Sequence, residues 1–186
     1  MTDRKTLLVF AHHDEASAFE GVAHLVTGVG KVNAAGALAH ALAAGDVDRA
    51  VVLGTAGVVG DDEHRLDLGT IYQVTGLVQH DFSLPSPALH PRGDVVLPAN
   101  EQTVMATGDV FVKDDEQRAR ISALGARLVD MEGYAYASVC ERFGVPLQIF
   151  KVPSDFADST TTDAEWDEIV FEKSRHLLEF WEERLS

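Results

Sequence analysis

The chain alternates short apolar runs with stretches of helical spacing, and most of the apolar runs stop abruptly at glycine or polar residues. Residues 6–11 form such a run and end on His12-His13-Asp14-Glu15. Residues 22–29 close on Gly28 and Gly30, and residues 49–53 end in Gly54-Thr55-Ala56-Gly57. Further strand-like runs lie at 104–107, 127–129 and 147–152. Residues 70–78 alternate apolar with polar side chains, which predicts a strand covered less completely. Helical spacing marks 31–44, a start near Asp114, 132–143, and an amphipathic stretch over 163–185. Residues 84–100 contain Pro and Gly and are expected to be loop. Strands interleaved with helices predict an α/β fold built on a largely parallel sheet. At 186 residues the chain suits a single domain over 1–186.

In such sheets, ligands gather beyond the carboxyl ends of the strands. The polar clusters fall at those ends: His12 to Glu15, Thr55, His80-Asp81, Asp109, Asp130 to Glu132, and Ser154-Asp155. Composition does not require that placement, so it points to a site. The formal charge of −15 argues against a nucleic-acid partner or an anionic membrane surface, since both need clustered Lys and Arg. Much of the acidity lies at 61–63, at 114–116 and in the C-terminal stretch, where it reads as solvated surface. Cys140 is the single cysteine, so no intrachain disulfide forms, as suits a reducing compartment. The first apolar run is too short for a signal peptide and no stretch approaches membrane-spanning length; the expected location is the cytoplasm.

Several local motifs lead nowhere. Gly28-Val29-Gly30-Lys31 fails as a dinucleotide fingerprint because Asn33 stands where the third glycine belongs. It fails as a P-loop because Val32 follows the Gly-Lys pair. Consecutive residues of a strand point to opposite faces, so His12 to Glu15 is poor metal-ligand spacing and no metal is expected. No Gly-x-Ser-x-Gly elbow accompanies Ser17 or Ser154, and Cys140 reads as core packing.

Taken in order, seven segments resemble the 5′-methylthioadenosine/S-adenosylhomocysteine nucleosidases of the nucleoside phosphorylase superfamily. They are 27–35 (TGVGKVNAA), 54–57 (GTAG), 79–81 (QHD), 107–112 (TGDVFV), 129–133 (VDMEG), 139–146 (VCERFGVP) and 154–158 (SDFAD). The Met131-Glu132 and Ser154-Asp155 segments are the most diagnostic. The resemblance implies a three-layer fold with a central twisted, mostly parallel or mixed sheet between helices. It also implies hydrolysis of a purine N-glycosidic bond without a cofactor, and a homodimer.

That reaction sets three tasks: protonate the departing base, stabilise a cationic ribose, and direct water at the anomeric carbon. The resemblance assigns the proton at the purine to Asp155, beside Ser154, and the ribose hydroxyls to Glu132, with Met131 packed on the sugar. It assigns the attacking water to Glu15, near Thr55, although a one-residue slip would give that role to Asp14. Phe111 and the backbone of Val112 are expected against the base, and Gly57 permits close approach of backbone to ligand. As isolated residues, Asp155 also suits a helix cap, Glu132 the first turn of a helix, and Met131 simple core filling. A phosphate-dependent phosphorylase and an inactive nucleoside-binding protein are the alternatives. Leu53 stands where phosphorylases carry an arginine, and Asp14 and Glu15 disfavour a phosphate dianion. The chain is short after Glu15 and over 84–104. Leu84 and Trp166 are candidates for the pocket of the 5′ substituent, each equally suited to the core.

Overall fold

The computed structural model describes residues 5–60, 65–160 and 163–186, with 163–167 by backbone alone. Seven strands and four helices follow in the order β1 (Thr6–Phe10), β2 (His24–Val26), α1 (Lys31–Ala43), β3 (Arg49–Val58), β4 (Tyr72–Gln79), β5 (Gln102–Thr107), α2 (Asp115–Ser122), β6 (Leu128–Asp130), α3 (Gly133–Phe143), β7 (Leu147–Asp155) and α4 (Asp163–Arg184). The acidic run at 61–63 lies outside the described residues, as does the Trp166 side chain.

One mixed sheet holds all seven strands, in the order β2-β1-β3-β6-β5-β4-β7, and β7 returns to pair with β3. The long strand β3 organises it. Its first half pairs with β1 (parallel) and its end with β6 (antiparallel), while β7 runs parallel along the opposite edge. Because β4 joins β5 in parallel and β7 in antiparallel fashion, the strands β3, β6, β5, β4 and β7 close into a ring. The sheet is thus mixed and mostly parallel, as the alternation of elements predicts.

Helices α1 and α3 share the core on one side, where Leu38, Leu42, Tyr136 and Val139 meet Val9, Val52 and Ile149. On the other side Leu177 of α4, and Leu185 just after it, pack with Phe10, Phe19, Leu53 and Phe150. Local chemistry sets the helix ends. Asp114 accepts the Gln117 amide at 2.8 Å to start α2, and Gly144, at φ 68°, ends α3 in the left-handed region.

One element runs beyond its expected end. Strand β3 does not stop at Leu53 but continues through Gly54-Thr55-Ala56-Gly57, because β6 and β7 supply partners to its second half. Strand β4 is covered less completely than β3 or β7, as its alternating pattern predicts, with Thr75, Val78 and Gln79 half-buried.

Candidate active site

A cavity of about 320 Å³ opens beyond the strand ends. Its walls come from the turn after β1 (Ala11, His12, Glu15), the second half of β3 (Thr55, Ala56, Gly57), the segment after β5 (Val110, Phe111, Val112), the end of β6 (Val129 to Glu132) and the end of β7 (Ser154, Asp155). Nine of the residues singled out from the sequence line it: Glu15, Thr55, Gly57, Phe111, Val112, Met131, Glu132, Ser154 and Asp155.

Glu15 is 3% exposed, and its carboxylate is held on both oxygens. Oε1 accepts the amide and the hydroxyl of Thr55, each at 2.7 Å, and Oε2 accepts the His12 amide at 3.2 Å. Asp14 instead turns outward: its side chain is 38% exposed, lies 3.4 Å from His12 Nδ1, and does not reach the cavity. The geometry therefore separates two neighbours that spacing alone left interchangeable.

Glu132 immediately precedes α3, yet its side chain does not cap that helix. It crosses to the turn before α1, where Oε1 accepts the Gly30 amide at 2.8 Å. Helix α3 is capped by Asp130, which accepts the Gly133 amide at 2.9 Å. Burial, reinforced by the Asp130 charge, raises the Glu132 carboxyl to about 8 against the pull of Lys151 and the Gly30 amide.

Lys151 is the residue that motif reading missed. It sits in β7 opposite Gly54, 1% exposed, with Nζ 3.2 Å from Asp130 Oδ2. Burial works against its charge, but the carboxylates of Asp130, Glu15 and Glu132 outweigh that and keep it protonated. Its one legible signal is a charged residue inside a mostly apolar strand run, a position that demands a partner. Gly54 makes the arrangement possible. A Cβ there would stand 2.9 Å from Glu15 Oε1 and 3.2 Å from Lys151 Nζ.

Asp155 ends β7 just after a register shift opposite Ala56 and Gly57. Such bulges re-aim the side chains that follow, and they tolerate a residue like Pro153 that has no amide to donate. Asp155 Oδ2 accepts the Ser154 hydroxyl at 2.6 Å and Oδ1 the Ala157 amide at 2.7 Å. A Cβ on Gly57 would come within 3.2 Å of Asp155 Oδ1 and 2.9 Å of the Ala157 methyl, so only glycine leaves both in place.

His80, Asp81 and Asp109, also expected near the site, do not line the cavity. Asp81 and Asp109 instead form a clamp with Lys31. Lys31 Nζ donates to Asp81 Oδ1 at 2.6 Å, and Asp81 Oδ2 accepts the Asp109 amide at 2.8 Å, which fixes the segment leading to Phe111. Leu84 is 66% exposed and stands outside the cavity. Among the described residues no cluster of His, Cys, Asp or Glu has metal-binding geometry.

A family model described as the phosphorylase superfamily matches residues 92–179. The chain is 32% identical over 172 residues to the aminodeoxyfutalosine nucleosidase of Helicobacter pylori strain J99, covering 80% of this chain and 72% of that protein. It is 26% identical over 208 residues to the 5′-methylthioadenosine/S-adenosylhomocysteine nucleosidase of Bacillus velezensis, covering 96% and 87%. In fold it superimposes on a futalosine hydrolase mutant of Helicobacter pylori with a TM-score of 0.82 at 20% identity, covering 97% of each chain. It also superimposes on the Streptococcus pneumoniae 5′-methylthioadenosine/S-adenosylhomocysteine nucleosidase bound to a transition-state inhibitor, with a TM-score of 0.80 at 20% identity, covering 98% of this chain and 100% of that one. The fold and the relatives define a nucleosidase of the phosphorylase superfamily. Within it, the chain belongs to the family of the 5′-methylthioadenosine/S-adenosylhomocysteine and aminodeoxyfutalosine nucleosidases.

Proposed function

We propose that the protein hydrolyses the N-glycosidic bond of an adenine nucleoside carrying a 5′ substituent, such as 5′-methylthioadenosine or S-adenosylhomocysteine. The observation that carries this reading is the convergence of Asp155, Glu132 and Glu15 on one cavity from three separate strand ends. In the proposed reaction, Asp155 as the acid delivers a proton to the departing base, and the bond from C1′ to the base nitrogen breaks. Glu15 takes a proton from water as its oxygen bonds to C1′, giving free base and ribose. Glu132 holds the ribose hydroxyls, Met131 packs on the sugar, and Phe111 and Val112 bound the base. Thr55 holds Glu15, and Ser154 holds Asp155.

Water is the nucleophile that this cavity suits. Among the described residues lining it none is Lys or Arg, while the carboxyl groups of Glu15 and Asp130 face it. A phosphate dianion there would meet like charge at short range. Adenine release from 5′-methylthioadenosine should proceed equally well with and without phosphate. A requirement for phosphate overturns the hydrolase reading, and binding without release overturns catalysis altogether. Asp155→Asn should lower kcat about 100-fold or more while the circular dichroism spectrum stays unchanged; full turnover in that variant removes Asp155 from its role.

The same reading includes a homodimer in the cytoplasm. The dimer is supported by exposed Val29, Val32, Phe82 and Val110, sequence neighbours of the Lys31, Asp81 and Asp109 clamp, of which Val29 and Val110 also line the cavity.

A further inference from the structure

Helix α4 lies on the face of the sheet away from α1 and α3, and contributes no described residue to the cavity wall. Even so, one of its side chains grips the turn that carries Glu15. Ser174 is fully buried. Its hydroxyl donates to the Glu15 carbonyl oxygen at 2.7 Å and accepts the Ala18 amide at 3.0 Å. A single side chain thus closes both ends of the segment 15–18, and through it fixes the residue whose carboxylate reaches Thr55.

Elsewhere the segment is held by the Glu15 carboxylate on Thr55 and by Ala16 in the core, not by regular structure. It is a run of tight turns, in which the Ala16 amide meets His13 O at 3.1 Å and the Ser17 amide meets Asp14 O at 3.2 Å, and no strand or helix passes through it. Phe19, packed at a tilt against Phe10 with ring centroids 4.7 Å apart, anchors its far end. Between the end of β1 and Phe19, the contact from α4 supplies the only side-chain grip on backbone that the described residues offer from outside the turn.

We propose that Ser174 is a positioning residue for Glu15, so that the seating of α4 sets the aim of the carboxylate that directs water. The inference rests on the reading of Glu15 given above. Misplacing a reacting group by about 1 Å can lower a rate as much as 100-fold. Ground-state binding of the nucleoside, which the base and ribose contacts supply, has no such dependence.

The test compares Ser174→Ala, Ser174→Thr, Lys173→Met and Glu15→Gln in the full chain, with 5′-methylthioadenosine as the probe. Lys173 serves as the control. It also ties α4 down, through Nζ to Leu68 O at 2.5 Å, but touches nothing in the Glu15 turn. Ser174→Ala should lower kcat about tenfold or more with KM within about twofold, and Ser174→Thr, which keeps the hydroxyl, should recover most of it. Lys173→Met should lower the melting temperature and leave kcat per folded molecule unchanged. If Ser174→Ala does not fold, Ser174→Cys, with its weak S–H donor, carries the same expectation. Wild-type kcat in Ser174→Ala or Ser174→Cys, or an equal loss in Lys173→Met, overturns the inference. Glu15→Gln keeps the two claims apart. If it is inactive while Ser174→Ala is unimpaired, only the positioning role falls; if it turns over like wild type, the reading of Glu15 falls, and the inference with it.

Discussion

At Glu132, burial and the neighbouring Asp130 charge both favour the neutral acid and carry the carboxyl from its ordinary 4.5 to about 8. Across that interval the folded protein keeps a proton that the unfolded chain has already released. The corresponding stabilisation is fully present below 4.5 and is lost as pH rises through about 8. Glu132→Gln stays neutral throughout, so its melting temperature should fall less steeply than that of the wild type between about pH 5 and about 8. Parallel melting curves over the range would show that Glu132 is ionised in the native state. The same residue shows how far motif reading reaches. Sequence alone placed Glu132 at a helix start, but the amide it holds belongs to Gly30, more than a hundred positions away, and no local pattern encodes that contact.

The second half of β3 is the element on which the site depends most directly. It presents Thr55 to Glu15, sets Gly57 beneath Asp155, and faces Lys151 with Gly54. Gly54→Ala should push the Glu15 carboxylate and the Lys151 ammonium away from each other and lower kcat about tenfold or more, with a folded protein by circular dichroism. Unchanged turnover would mean that both side chains can shift without loss. Most strands and helices were legible because periodicity and their glycine ends mark them: α1 begins after Gly30 and α3 ends at Gly144. The continuation of β3 through its glycine-rich turn was not, because it is sustained by β6 and β7, which are distant in sequence. Lys151 escaped for a related reason. Its partner Asp130 lies on another strand, and a strand pattern registers only that a charge is out of place.

For the molecule as a whole, the exposed apolar residues and the acidic charge pull in different directions. A charge of −15 keeps copies apart at low ionic strength, whereas Val32, at 82% exposed, with Val29, Phe82 and Val110, offers a surface that is stable when covered. Light scattering coupled to size exclusion should therefore give a dimer mass, and Val32→Glu should shift it toward the monomer. A monomer in the wild type at the concentrations of the activity assay would exclude the dimer as the working form. The closed ring of strands has a consequence for how the molecule is made. Strand β7 leaves the ribosome after the other six described strands and is the one that joins β3 to β4, so the ring shuts only once β7 has emerged. Lys151 and Asp155 arrive on that final strand. Until it docks, Asp130 lacks its Lys151 partner and the cavity lacks the wall that Ser154 and Asp155 supply.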